Sequence, residues 1–151
     1  MAIIPEKYTT LSPLQEEYQK FWNHFNPLSL NHSDFSSRFK VHPIASIRCY
    51  QDYSVGESYI LTLKINFAKN LFYVSAYFNS ATRFAEYHEK YKTRIETDLG
   101  YELEWKQHAT AGYAKKGFAV DLFDKSQYDK ICNRMMEEGI RLISVFKKYS
   151  K

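Results

Sequence analysis

Apolar and polar positions recur along this chain with two different periods, and the period separates helical from extended segments. The first helical segment has apolar residues at steps of three and four: Leu14, Tyr18, Phe21, Trp22 and Phe25. Ser12 and Pro13 suit its N-cap and first helical position, and Pro27 is predicted to end it. In the Ser-rich segment that follows, we expect a short helix over 33–39 with Ser33 as its cap.

From residue 44 onwards the period changes to two, which is typical of β-strands. Strands are predicted over 47–53, 58–67 and 71–78, and the sequences SVGE and AKN are the turns between them. The short AKN turn predicts that the last two strands form an antiparallel hairpin.

The most regular helix is predicted from a cap at Ser80 to Leu99, and Gly100 is placed for a left-handed C-cap. Its apolar stripe consists of Phe84, Tyr87, His88, Tyr91, Ile95 and Leu99. Residues 101–108, YELEWKQH, then predict a strand with Tyr101, Leu103 and Trp105 toward the core. Residues 109–117 predict a flexible, basic loop, and 118–123 predict the last strand.

The final helix is predicted from a cap at Ser126, with Asp129 completing a capping-box-like signal, to about Tyr149. Its apolar residues follow heptad spacing: Tyr128, Cys132, Met135, Gly139, Leu142, Phe146 and Tyr149. The breadth of this seam favours packing on a sheet, and a homodimer through part of the helix remains open. Gly139 is expected where another backbone comes close.

These elements predict an α+β fold, with a mainly antiparallel sheet of about five strands and about three helices packed on one face. A length of 151 residues suffices for one core. We therefore expect a single domain over 12–151 after an N-terminal arm, residues 1–11.

Composition narrows the class of protein. Aromatic residues make up 17% of the chain, against 5 Gly and 4 Pro, which excludes a largely disordered protein. The net charge of +4 permits an anionic partner without requiring one. Cys49 and Cys132 are predicted to be buried thiols in a reducing compartment. Neither a membrane span nor a signal peptide is recognisable, so we expect a cytoplasmic protein with no membrane partner.

The run LGYELEW after a long charged helix, the N-terminal segment QEEYQKFWNHF and the final segment LISVFKKY resemble the bacterial domain of unknown function 4268. The resemblance spans about residues 12–149. Family members usually carry a basic residue in the strand after the LEW segment, where this chain has Asp121. Members occur alone or fused behind a domain similar to a restriction-type nuclease. The resemblance thus implies a role connected with DNA or defence, by association, and names no catalytic residue.

The residues themselves give no catalytic signature. A nuclease of the restriction type needs an acid close to its lysine, but Thr62 stands where the acid near Lys64 would be, and Asp52 is the only acid on the preceding strand. The histidines and cysteines lack metal-ligand spacing, and no glycine-rich phosphate loop occurs. We therefore predict no cofactor and no metal, and lean against an enzyme. An enzyme would need a pocket that gathers His108, Glu104 or Asp121.

The remaining signal is the sheet face turned away from the helices. It is predicted to combine aromatic rings with basic and imidazole side chains: Arg48, Tyr50, Lys64, Tyr73, Tyr77, Lys106 and His108, extended by the loop residues Lys115 and Lys116. Such a face is suited to stacking bases and holding phosphates. The hypothesis is a small accessory domain that binds nucleic acid or works beside a restriction- or defence-type nuclease. A protein-interaction or homodimerisation module, or a plain solvated face, are the alternatives.

Overall fold

The computed structural model describes residues 10–150. Its helices are α1 (Pro13–Asn31), α2 (Ser33–Arg38), α3 (Ala81–Leu99) and α4 (Tyr128–Lys147). Its strands are β1 (Tyr50–Ser54), β2 (Tyr59–Asn66), β3 (Leu71–Phe78), β4 (Glu104–Gln107) and β5 (Gly112–Ala119). The predicted arm lies outside the described residues except for positions 10 and 11.

The five strands form one sheet in the order β1-β2-β3-β5-β4, and every neighbouring pair is antiparallel. The predicted hairpin is confirmed as β2 and β3. Helix α3 then carries the chain to the sheet edge at β4, and β5 returns between β4 and β3. The α+β class, with an antiparallel sheet of five strands, is confirmed.

The core lies between the sheet and the helices. Leu61, Leu63 and Ile65 of β2 point inward and are fully buried, as predicted. The seam of α4 packs onto them: a Cβ atom added at Gly139 would lie 3.2 Å from a methyl carbon of Leu61 and 3.4 Å from one of Leu63. The close approach expected at Gly139 is thus made to side chains rather than to another backbone. The seam side chains from Tyr128 to Phe146 are buried within the chain itself.

Two predictions about the N-terminal helices are wrong. Pro27 does not end α1, which continues to Asn31. Proline removes one helical hydrogen bond, while neighbouring side chains hold the last turn: Ser29 Oγ donates to the Asn26 carbonyl at 2.8 Å. The Asn26 amide also pairs with that of Gln51. The cap of α2 is not Ser33 but His32, whose Nδ1 accepts from the Phe35 N–H at 3.1 Å.

The region after α3 differs most from the prediction. Ser80 and Gly100 cap α3 as expected, and Gly100 has φ +81°. However, the strand predicted over 101–108 shortens to β4, and the predicted loop 109–117 is mostly β5. The strand predicted over 118–123 ends at Ala119. Segment 112–119 becomes extended because neighbours on both sides, β3 and β4, complete its backbone hydrogen bonds.

The predicted cap at Ser126 is also wrong. Asp124 caps a single 3-10 turn, Lys125–Gln127, by accepting from the Ser126 N–H at 3.1 Å, and α4 begins directly after this turn. The helix ends at Lys147 rather than near Tyr149. Cys132 is buried, Cys49 is only half-buried, and both are free thiols. No helix within residues 10–150 has both the length and the apolar character needed to cross a bilayer.

Candidate functional site

The helices pack on one face of the sheet, and the opposite face forms a shallow concavity of about 530 Å³. We call the side chains on this side the outer face: Tyr50, Asp52, Ile60, Thr62, Lys64, Tyr73, Ser75, Tyr77, Glu104, Lys106, Tyr113 and Lys115. Residues of β1, β2, β3 and β5, together with Asn79, line the concavity. The face exists because side chains alternate along each strand, so that one set enters the core and the other faces away.

Strand register aligns the outer face in rows. The middle row runs Asp52, Thr62, Ser75, Lys115 and Glu104 from one edge of the sheet to the other. At the β1 edge, Thr62 Oγ1 donates to the Asp52 carboxylate at 2.7 Å. At the β4 edge, Lys115 Nζ lies 3.8 Å from Glu104 Oε2. The row therefore has one carboxylate on each edge strand and an ammonium group between them.

Two tyrosine rings flank this ammonium group. Lys115 Nζ lies 4.6 Å from the ring centroid of Tyr73 and 5.0 Å from that of Tyr113. Lys64 approaches Tyr73 as well, at 5.9 Å. Tyr113 donates its hydroxyl proton to Glu104 at 3.1 Å. These cation–π contacts and the hydrogen bond hold aromatic and charged groups in one connected cluster.

The position of the Tyr73 ring depends on a glycine on β5, the neighbouring strand in the sheet. Gly117 is its direct partner in the β3–β5 register, and a Cβ atom at Gly117 would lie 2.9 Å from the Tyr73 ring. Because glycine has no side chain there, the ring lies across the backbone of β5.

The electrostatics of Lys115 reflect its surroundings. Partial burial lowers the pKa of the Lys115 ammonium group, and the nearby cations Lys64, Lys69 and Lys106 lower it further, while Glu104 raises it. Burial is the largest of these effects. The ammonium group is thus partly removed from water and lies among other positive charges, so an incoming anion is attracted to it.

The structure brings together most of the nine residues predicted for this face. Tyr50, Lys64, Tyr73, Tyr77 and Lys115 line the concavity, and Lys106 is opposite Tyr113 on the same face. At the rim, the His108 ring lies 5.8 Å from that of Tyr113. At the β1 edge, Arg48 donates to the Tyr50 hydroxyl at 3.0 Å.

Lys116 is the exception. It pairs with Val74, whose side chain is buried on the helix side, and its Nζ lies 5.3 Å from the ring centroid of Tyr101. Lys116 therefore belongs to the opposite side of the sheet. The prediction placed it beside Lys115 because a flexible loop imposes no alternation, whereas a strand sends neighbouring side chains to opposite faces.

Sequence reasoning missed Tyr113, which contacts both Lys115 and Glu104. The sequence predicts a loop here because Gly112, Ala114 and Lys116 occupy the inward positions, which hides the apolar half of the pattern. The usable signal is the alternation of Tyr113 and Lys115 with the small residues Gly112 and Ala114. The same misassignment placed Lys115 in a loop rather than at the centre of a strand.

The residues named for an enzyme do not form one pocket. Glu104 lies on the outer face and His108 just beyond the end of β4 nearest Gly112, whereas Asp121 follows the opposite end of β5. In the described part of the chain, no group of three or more histidine, cysteine, aspartate or glutamate side chains is arranged to hold a metal ion.

Fold and site together define a small α+β domain with helices on one sheet face and tyrosines and lysines on the other. The family model described as Domain of unknown function (DUF4268) matches residues 17–150, nearly the whole chain, and the chain belongs to this family. The resemblance seen in the sequence is thereby confirmed. No curated protein and no solved structure matches the chain.

Proposed function

We propose that this domain binds nucleic acid on the outer face. The observation that carries the proposal is the cluster of Tyr73, Lys115 and Tyr113, in which two aromatic rings flank one ammonium group on an open antiparallel sheet. Rings on such a sheet stack bases, and ammonium groups contact phosphates. A nucleic acid supplies both groups in one ligand.

The distribution of charge supports the same ligand. Lys64, Lys106 and Lys115 belong to the outer face, and Arg48 adds a guanidinium group at its edge, against the carboxylates of Asp52 and Glu104. The whole chain carries a net charge of +4. Binding driven by phosphate contacts of this kind weakens as salt rises, because bound counterions are released into a more concentrated solution.

Within the cell, the proposed role is that of a bacterial, cytoplasmic accessory domain. In this role the domain provides nucleic-acid contacts beside a restriction- or defence-type nuclease. The family resemblance motivates this part of the proposal by association, since similar domains occur fused behind nuclease-like domains.

Association with a protein, or with a second copy, through the outer face is the second candidate. It is favoured by the apolar content of the concavity, where Ile60 lies beside Tyr77 in the register. Tyrosine and arginine are enriched in protein interfaces. The buried seam of α4 leaves this face as the better surface for such contacts.

A salt series of fluorescence anisotropy measurements tests the first candidate. Labelled single-stranded DNA, single-stranded RNA and duplex DNA are titrated with the wild type, with Lys64→Met and with the control Lys90→Met, which changes an exposed lysine on α3. We expect binding at low salt that weakens with added salt. Lys64→Met should lose affinity relative to the wild type, and Lys90→Met should not. No binding at low salt, or equal losses in both variants, contradicts the proposal. A dimer by light scattering, without nucleic-acid binding, supports the second candidate.

A further inference from the structure

The width of the outer face favours a single-stranded nucleic acid over a duplex as the ligand. Five strands spaced by about 4.8 Å span roughly 19 Å from β1 to β4. The major groove of B-DNA is about 12 Å wide and admits a helix or a two-stranded ribbon. This sheet therefore does not enter the groove of a duplex. A duplex laid against it offers phosphates but hides the base faces that the tyrosines would stack on.

The two rings beside Lys115 are spaced for neighbouring nucleotides of one strand. Since both centroids lie within 5.0 Å of the same Nζ atom, the rings are separated by no more than about 10 Å. Two successive nucleotides of an extended single strand bridge that separation, and their linking phosphate falls between the bases. Lys115 occupies this intermediate position.

Glu104 already supplies an anion at this position. Its carboxylate pairs with Lys115 Nζ at 3.8 Å and accepts a hydrogen bond from the Tyr113 hydroxyl at 3.1 Å. A phosphate oxygen makes both of these contacts equally well. The Glu104 side chain is 60% exposed, so it is free to move outward when a ligand arrives.

Building on the proposed function, we propose that the ligand is a single-stranded nucleic acid. Two successive bases stack on Tyr73 and Tyr113, and the phosphate between them displaces the Glu104 carboxylate from Lys115. Glu104 is then a specificity-determining residue of the face. The negative charge of Glu104 repels every incoming anion. A ligand with two bases overcomes this repulsion because the bases stack on the tyrosine rings, whereas an anion without bases does not.

Charge removal at Glu104 is the sharpest perturbation, because glutamine keeps an oxygen that accepts from Tyr113 while losing the competing charge. We expect Glu104→Gln to bind a single-stranded oligonucleotide roughly two- to fivefold more tightly than the wild type. Lys115→Met should bind it about tenfold more weakly. In the Lys115→Met background, the gain from Glu104→Gln should shrink, since Glu104 acts through Lys115.

The experiment measures the anisotropy of a labelled single strand, and of its duplex with the complement, for these variants and the control Glu89→Gln, an exposed carboxylate on α3. The expected result is a preference for the single strand, tighter binding by Glu104→Gln and no change for Glu89→Gln. Equal affinity for strand and duplex, or no gain from Glu104→Gln, overturns the inference. If binding still depends on Lys64 in that case, the proposed function stands without it. If no nucleic acid binds at all, both fail.

Discussion

The ring of Tyr73 lies so close to Gly117 that a Cβ atom at Gly117 would come within 2.9 Å of a ring carbon. The two residues are direct partners across β3 and β5. Glycine is therefore a steric requirement of the outer face, because it lets an aromatic side chain lie across the sheet. Tyr73 in turn contacts Lys115 at 4.6 Å, so the geometry of the whole cluster depends on this pair.

We expect Gly117→Ala to weaken nucleic-acid binding while leaving the fold intact. The added methyl group pushes the Tyr73 ring off β5, and loss of one stacked base costs about 1–3 kcal/mol of binding free energy. The free energy of unfolding should change by no more than about 1 kcal/mol, because alanine is favoured over glycine in a strand and offsets part of the clash. Anisotropy and urea denaturation measure the two effects.

The control for this prediction is the same substitution in a Tyr73→Leu background. With the ring absent, Gly117→Ala should cause little further loss of affinity. An unchanged affinity of Gly117→Ala in the wild-type background would show that the position of the Tyr73 ring does not matter for binding.

The Glu96 side chain on α3 forms hydrogen bonds that link this helix to β4 and to the residue just before it. Its Oε2 atom accepts from the Leu103 backbone N–H at 2.7 Å and from the indole N–H of Trp105 at 3.2 Å. Glu96→Ala leaves two partly buried donors unpaired, so we expect it to lower the free energy of unfolding by about 1–3 kcal/mol. Urea denaturation followed by tryptophan fluorescence measures this loss. The exposed Glu89→Ala should stay within about 0.5 kcal/mol, and equal effects of the two variants would refute the prediction.

Buried tyrosines should make the protein sensitive to alkali. Burial raises the pKa of Tyr53 and Tyr59 well above the usual value, and burial together with the charge of Glu138 raises the pKa of Tyr101 to about 12. A group whose pKa is higher when folded favours folding only while it stays protonated. The contribution of these tyrosines to stability should thus be constant below about pH 10, the unfolded-state pKa of tyrosine, and should be lost as pH rises toward 12.

Urea midpoints measured across this range, together with tyrosinate absorbance, check the pH dependence. The prediction is a fraction of tyrosines that ionises only near pH 12 or with unfolding. Ionisation of all thirteen tyrosines near pH 10, with the urea midpoint unchanged, would contradict it.

The sequence predicted correctly those elements in which the apolar periodicity and the turn or capping residues indicate the same bounds. The hairpin of β2 and β3 follows from strict alternation around a short turn. Helix α3 follows from a continuous stripe between Ser80 and Gly100, whose φ of +81° shows why glycine stands there. The outer-face positions of Tyr73 and Tyr77 follow from the same alternation along β3.

The wrong predictions concern segments whose conformation is set by tertiary contacts. Pro27 is tolerated because Ser29 and the Asn26–Gln51 pair hold the helix beyond it, and Gln51 belongs to another element. The first half of segment 112–119 has no large apolar residue at its inward positions, which are Gly112, Ala114 and Lys116. Gly112 leaves room for the ring of Phe84, to which an added Cβ would approach within 2.4 Å. The strand character of this segment comes from two flanking strands, and the correct sides for Lys115 and Lys116 follow only from that pairing.

The central claim is that the outer face, rather than the helical side, binds single-stranded nucleic acid. Amide chemical-shift mapping of the ¹⁵N-labelled protein during titration with a short oligonucleotide tests it most directly. The account predicts the largest shifts at outer-face residues of the central strands, among them Lys64, Tyr73 and Lys115, and small shifts along α3 and α4. Shifts concentrated on α3 or α4, or none at saturating oligonucleotide and low salt, would contradict it.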